Sequence, residues 1–346
     1  MSFIINTAPC WLKGGHIIKV NNITLGAIMY DYWRLTMTSD HPIRIGTHDG
    51  SFHADEVLAI AILSTIHPNH HVVRTRDPDT LSWMDIVVDV GGIYDHGHKR
   101  YDHHMAHPPR GRDNHIYSSA GLVWRHYAQV YLDKIGLPRR YEFGGTTIDL
   151  FSAVERHIRS QWIEPIDRSD NGVSHELTPI SVVVQAMRPT DPVKSRATYD
   201  AAFLETVSMV SLLFERSCFH AADHTIAQTK HMVTEKRLLN DGKIVVSDHI
   251  IPSYRHYSST DAHFAIHPSL RAEGLEHNYI IRPIPREGQR SAKTPVPLSL
   301  LGARREMIED LTRIEGVSYV HHNGFLVLAD SEEAAIKFAC FCLQFS

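Results

Sequence analysis

From residue 43 onward the chain alternates short apolar runs with longer apolar stretches, the pattern of an α/β protein. Residues 43–47 read as a short strand. Residues 54–66 place apolar side chains on nearly every face (Val57, Leu58, Ile60, Ile62, Leu63, Ile66), which predicts a buried helix. Residues 71–75 read as a second strand. Ile86-Val87-Val88 is a continuous apolar run between Asp85 and Asp89, as in a strand covered on both faces within a parallel sheet. Strand, helix, strand, strand in this order predicts a βαβ start to a doubly wound sheet. A helix over about 118–135 carries Leu122, Val123, Tyr127, Val130 and Tyr131 on one side and stops at Gly136 and Pro138. Two further helical stretches are expected over about 195–216 and 220–239.

Asn240-Asp241-Gly242 then breaks the helix, and Ile244-Val245-Val246 opens a second α/β region. Its expected elements are strands at 279–284 and 317–320, a Pro-, Arg- and Ser-rich loop over 283–297, and a helix at 331–341. The fold class is therefore α/β. An N-terminal extension (1–41) precedes a parallel-sheet domain with a helical connector (42–240), and a smaller α/β C-terminal domain (241–346) follows. There is no internal repeat and no low-complexity tract.

Composition sharpens this in three places. With 346 residues and 43% hydrophobic content the chain can bury a full core, and 21% charged residues are ordinary for a folded protein. The formal net charge of -4 gives no global attraction to nucleic acid, so such a partner needs a local basic patch or bound metal ions. Cys10, Cys218, Cys340 and Cys342 form neither a disulfide ladder nor a zinc framework, which fits a reducing compartment. An intracellular and by preference cytoplasmic protein is expected, with mitochondrion and nucleus left open. No run approaches the roughly 20 apolar residues that span a membrane. Lys13, Lys19 and Arg34, with no acid before Asp31, weakly resemble a mitochondrial presequence. Arginine is scarce there, however, and Gly14-Gly15 and Gly26 interrupt any amphipathic helix. An extension upstream of a start at Met37 is the favoured reading.

The chain holds 26 histidines, and histidine is the commonest side chain for binding transition metals at neutral pH. His48, His53 and Asp55 fall at the turn from the first strand into the first helix. Asp89 ends its own strand, within Val88-Asp89-Val90-Gly91-Gly92, and Asp102-His103-His104 follows Tyr101. Sites in open α/β sheets form at the carboxyl ends of strands, where loops converge. Mixed imidazoles and carboxylates there suit Mn²⁺, Zn²⁺ or Fe²⁺ better than Mg²⁺. Taken singly each piece has a plainer reading. A strand-ending Asp is a common turn former, and His70-His71 and His321-His322 show that paired histidines recur in this chain. Three clusters at predicted strand ends within about sixty residues together favour a metal site. Ser118 and Ser119, at a predicted helix start, read equally as a phosphate seat or as an ordinary serine cap.

The blocks THDGSFHADE, DIVVDVGG, YDHH and SSAGLVW, in this order, closely resemble the DHH phosphoesterase superfamily. Within it they are most similar to the melanocyte-proliferating-gene family, also described as metal-dependent protein hydrolases and as exonucleases. The likeness runs over residues 43–343. It implies a DHH-type catalytic domain with two divalent ions, Mn²⁺ by preference and Mg²⁺ as the alternative. His48, His53 and Asp55 would bind the ions from the first block, Asp89 would bridge them, and His103 would complete the second. Asp170, or in its place Asp167, would be the last carboxylate. His104 would face the scissile phosphate, with Asp102 orienting a histidine behind it. His53 stands where many superfamily members have an Asp.

The resemblance also assigns substrate grip to the C-terminal domain, where Arg282, Arg304, His321, Asn323 and Gly324 are the candidates and Arg305 reads as a solvated helix face. After Gly324-Phe325 the family usually has a glycine pair, and this chain reads Leu326-Val327-Leu328. The implied activity is a 3′→5′ exonuclease on RNA, single-stranded DNA or short oligonucleotides, with roles in RNA processing and with a homodimer possible. Two other readings compete. One is a phosphatase for dinucleotides, pyrophosphate or nucleotides. The other is a non-enzymatic metal-binding protein, against which the open ligand blocks argue.

Overall fold

The structure is a computed structural model that describes residues 41–111, 114–174, 177–190, 195–269 and 279–345. Of the extension, only His41 falls inside these, so the expectations about a presequence and about Met37 lie outside the described residues. Residues 43–346 form one compact unit.

The unit begins with strand β1 (Ile43–Thr47), helix α1 (Ala54–Ile66) and strand β2 (His70–Arg74). A short helix α2 (Pro78–Ser82) leads into β3 (Ile86–Val88), and β4 (Tyr94–Asp95) and β5 (Arg100–Tyr101) follow. These strands make a five-stranded sheet in the order β2-β1-β3-β5-β4. β1 pairs parallel with β2 and β3, and β3 pairs parallel with β5; only the edge strand β4 runs antiparallel. The carboxyl ends of β1, β3 and β5 therefore lie side by side at one sheet edge. The predicted βαβ start is present, but the antiparallel edge makes the sheet mixed.

Helix α1 is buried from Ala54 to Leu63, as its all-round apolar sequence demands, and packs against α3 (Ser119–Lys134). On α3, Leu122, Val123 and Tyr131 are buried, but Val130 is 50% exposed and does not belong to the apolar face expected of it. A β-hairpin (β6, Arg140–Phe143; β7, Thr146–Asp149) then gives way to α4 (Leu150–Ile158), a π-helical turn (Arg159–Ile163), α5 (Glu164–Asp170) and α6 (Pro179–Ala186). The sequence reading assigned no element to this region.

The two stretches expected over 195–239 are one helix, α7 (Arg196–Val233). Nothing between them stops a helix: Ser217 satisfies its hydroxyl on the Leu213 carbonyl, and Cys218 packs into the core. The end of the second stretch is instead strand β8 (Arg237–Leu239), which pairs with β9 (Ile244–Val246). With β10 (Phe264–Pro268), β11 (Tyr279–Pro283), β12 (Val317–Val320) and β13 (Val327–Ala329) they form a six-stranded sheet ordered β12-β13-β11-β10-β9-β8. Only β9 and β10 pair parallel. Helices α8 (Arg305–Thr312) and α9 (Glu332–Leu343) complete this part, α9 packing its apolar side on β10 to β13. Each sheet has its own apolar core. Among the described residues no helix is long and apolar enough to cross a membrane.

Candidate metal centre

The three parallel strand ends deliver the chemistry to one place. β1 ends at Thr47, and His48 is 4% exposed. His53 opens α1, and Asp55 and Glu56 lie buried in its first turn. Asp89 follows β3 with φ 57°, a left-handed backbone that costs a non-glycine residue energy and that a packed site can hold. Asp102 follows β5, with His103 buried and His104 exposed. Asp170, at the end of α5, closes the group from a helix rather than a strand.

His48 Nε2 lies 3.1 Å from Glu56 Oε1 and 3.3 Å from Asp89 Oδ2. His103 Nε2 lies 3.1 Å from Asp170 Oδ2 and 3.3 Å from Asp89 Oδ1. Both rings are oriented from behind. His48 Nδ1 sits 3.0 Å from the Asp49 carbonyl, and His103 Nδ1 sits 3.2 Å from Asn171 Oδ1. Asn171 is fixed in that orientation because its Nδ2 donates to the carbonyls of Ile116 and Asp167. Acceptors at both Nδ1 atoms fix a proton there and present Nε2 to the carboxylates, the orientation in which metal-ligating imidazoles are held.

These ion-pair contacts leave part of the inward polar surface without a hydrogen bond. Asp55 Oδ1, Glu56 Oε2 and His103 Nε2 are buried with no aligned hydrogen-bond partner. Buried polar atoms in folded proteins are nearly always satisfied, so a cluster of orphans calls for a missing partner. Among the described residues, four triplets bring their donor atoms within 4.8 Å of one another: His48-His53-Glu56, Asp89-His103-His104, Asp55-His103-Asp170 and Asp55-Glu56-Asp89. Asp89 recurs in two of them. The donor set fits a divalent cation.

Electrostatics agree. Burial would lower the pKa of His48, yet hydrogen bonding to Asp89 and Glu56 outweighs it and pushes the ring up to about 10. His103 behaves alike: burial opposes its charge, and Asp170 and Asp89 push it up to about 10. Burial works against ionisation of Asp89, but His103, His48 and Ser119 hold it well below the usual carboxylate range. Asp55 is driven well above that range by burial and by the charges of Asp89, Asp170 and Glu56. A field this negative holds protons where a cation would otherwise sit.

Asp102 accepts from the backbone N–H groups of Gly92, His103 and His104, and Asp102 Oδ1 also accepts from His104 Nδ1 at 2.8 Å. That last bond raises the pKa of His104. The cluster lines a cavity of about 590 Å³, which Arg76, Ser169, Ser181, Gln185 and Arg188 also line. Arg188 is anchored by its Nε on the Phe52 carbonyl at 2.6 Å.

Other expected residues lie elsewhere. Ser119 is fully buried and donates its Oγ to Asp89 Oδ1 at 2.8 Å, so it braces a carboxylate rather than facing the cavity. Ser118 caps α3 and donates both its N–H and its Oγ to Asp167 Oδ1, at 2.9 and 2.7 Å. Neither hydroxyl is free to seat a phosphate, and Asp167 stands behind the cluster, absent from every triplet. Arg282, Arg304, His321, Asn323 and Gly324 do not line this cavity. Arg282 stacks over Tyr254 and Phe325, and Arg304 over Tyr319. Arg305 pairs with Asp330. Val327, in the Leu326-Val327-Leu328 run, is buried in β13.

The sequence reading passed over Glu56, Asn171, Arg76 and Arg188. Glu56 carried a signal, since an acid three residues after a helix-opening position turns back towards it, and its Oε1 accepts from the His53 N–H. The other three are set by tertiary packing.

The sequence profile of a family described as uncharacterised protein family UPF0160, the MYG1 exonuclease profile, matches residues 44–343. A human protein named MYG1 exonuclease is 29% identical over 335 residues, covering 86% of this chain and 85% of its own. A rat protein of the same name is 28% identical over 335 residues, covering 86% and 84%. A solved pGpG-specific phosphodiesterase, PggH from Vibrio, aligns over 87% of this chain and 98% of its own at 13% identity and a TM-score of 0.26, a likeness that carries no argument.

Proposed function

This chain belongs to the MYG1 exonuclease family, and from that premise we propose that it is a divalent-metal-dependent phosphodiesterase of the DHH type, an exonuclease that removes nucleotides from the 3′ end of RNA or single-stranded DNA. The observation that carries the reading is the convergence of two back-supported histidines on a cluster of carboxylates, two of whose buried oxygens lack a hydrogen-bond partner, beside a cavity that Arg76 and Arg188 also line.

His48, His53, Asp55, Glu56, Asp89, His103 and Asp170 would hold the divalent cations, with Mn²⁺ the expected metal and Mg²⁺ the alternative. When bound, such ions supply Lewis-acid stabilisation of a phosphoryl oxygen and lower the pKa of an attacking water. The chain's own residues do the rest. Asp102 orients His104 and favours its charged form, so the ring is set to donate to the negative charge that grows on the phosphate. Arg76 and Arg188 bind phosphate oxygens at the cavity wall. Ser119 and Asn171 hold Asp89 and His103 in place.

The test incubates metal-stripped protein with Mn²⁺ or Mg²⁺ and end-labelled RNA, DNA, dinucleotide and pyrophosphate, with Asp89→Asn alongside. Laddering from the 3′ end in the wild type, lost in the variant, is the expected result. Cleavage confined to the dinucleotide or pyrophosphate replaces the exonuclease by a small-substrate phosphatase. No turnover with either metal leaves a metal-binding protein without this activity.

A further inference from the structure

A second cavity, of about 670 Å³, opens beside the candidate metal centre and shares none of its lining residues. Helix α5 separates the two. Ile166, Ser169 and Asp170 face the first cavity, while Glu164 and Asp167 face the second. The mouth of the second carries four arginines: Arg110, Arg125, Arg156 and Arg159. Two are spoken for, Arg159 by Glu155 and Arg110 by the Asn114 carbonyl. Arg125 lies over the Tyr117 ring, and neither it nor Arg156 makes a hydrogen bond or ion pair with a described residue.

The floor is buried and polar. Asp167 is 0% exposed; its Oδ1 takes both Ser118 donors, and its Oδ2 accepts no aligned hydrogen bond, with His115 Nε2 beside it at 3.4 Å. That Nε2 and the Nε1 of Trp124 are likewise buried without an aligned hydrogen bond. Gly121 lines the same floor, and a Cβ there would clash with Asp167 Oδ1 and fall 2.7 Å from Oδ2, so only glycine leaves room for that carboxyl. The wall is also interrupted by the π-helical turn at Arg159–Ile163, a distortion frequent at functional sites.

Unpaired guanidinium groups at a mouth fit a phosphate. An orphaned carboxyl, an indole N–H and an imidazole nitrogen at an aromatic-walled floor fit the edge of a heterocyclic base with an exocyclic amino group. The volume suits a small organic ligand. We propose that this cavity is a second binding site, distinct from the metal centre, for a nucleoside monophosphate bearing an amino-substituted base. The phosphate is held by Arg125 and Arg156 and the base by Asp167. This site does not depend on the exonuclease reading, because it is argued from its own residues.

The test is titration calorimetry on the full chain in EDTA, with CMP, AMP, cytidine and inorganic phosphate as probes. CMP or AMP binds one to one, and cytidine and phosphate bind at least about tenfold more weakly, the loss expected for a charged hydrogen-bonding group. Arg156→Ala, at an exposed position without partners, weakens the nucleotide at least about tenfold, and Asp89→Asn leaves it unchanged. Absence of binding by all four probes overturns the proposal. So does phosphate binding as tightly as CMP, or binding that survives Arg156→Ala and is lost in Asp89→Asn.

Discussion

Replacing Asp167 by Asn removes a fully buried carboxyl that burial pushes up to about 7, against the pull of the two Ser118 hydrogen bonds. The ordinary value of an unfolded Asp is about 3.9. A carboxyl whose folded pKa is raised binds its proton more tightly in the native state, so its contribution is most favourable below the unfolded value. That contribution is lost as the pH rises, and the loss is complete once the pH has passed the folded pKa. Between pH 5 and pH 8 the two titrations imply a loss of about 2–3 kcal/mol from this one group. Asparagine keeps an Oδ1 to accept both Ser118 donors, so the variant escapes the loss without breaking the cap. Stability of Asp167→Asn relative to wild type therefore climbs by about 2 kcal/mol from pH 5 to pH 8. Urea unfolding in EDTA, followed by tryptophan fluorescence, measures it, since Trp124 is buried in the first core and Trp162 packs against it. A difference that stays flat across this range, or falls, refutes the burial argument for Asp167.

Three further outcomes test the candidate centre. Asn171→Ala removes the acceptor behind His103 and lowers Mn²⁺ affinity about 10–100-fold, read by calorimetry; unchanged affinity means the ring needs no such support. Asp102→Asn removes the charge that raises the pKa of His104, so the alkaline limb of the kcat profile moves to lower pH, and a limb that does not move removes His104 from its assigned role. Arg188→Ala raises KM for an oligonucleotide about tenfold or more with little change in kcat, and an unaltered KM takes Arg188 out of substrate binding.

What the sequence made legible was what local pattern controls. The β1-α1-β2 start was readable because Val57 to Ile66 is apolar on every face and the flanking runs are too short to be anything but strands. With those elements placed, the strand-end rule located His48, Asp89 and Asp102 together without any contact information. The segment between α3 and α7 was opaque for the opposite reason. Its helices are short, they begin with Pro165 and Pro179, and a π-helical turn joins two of them in place of a break. Asp170 could be reached from resemblance alone, because its position depends on how α5 packs against α1 and α3. Ser118 and Ser119 had two open readings, cap or phosphate seat, and burial decides for bracing at both. Arg76 and Arg188 lie outside every recognisable block, and only folding turns them to the same wall.

Charge balance at the centre leads to a last prediction. Asp55, Glu56, Asp89, Asp102 and Asp170 crowd around His48, His53, His103 and His104, and such a cluster is tolerable only with positive charge inside it. In the metal-free protein protons provide that charge. His48 and His103, both pushed up to about 10, carry two of them at pH 7.5, and the raised Asp55 favours holding another. A cation that coordinates the Nε2 atoms must displace the protons first, because a ligating imidazole is neutral. Mn²⁺ binding at pH 7.5 therefore releases at least about two protons per chain, and affinity falls steeply as the pH is lowered. Calorimetry repeated in buffers of different ionisation enthalpy measures the release directly. A heat of binding independent of the buffer means that no protons leave, and then the shared protons inferred from His48, His103 and their carboxylates are not what the metal replaces.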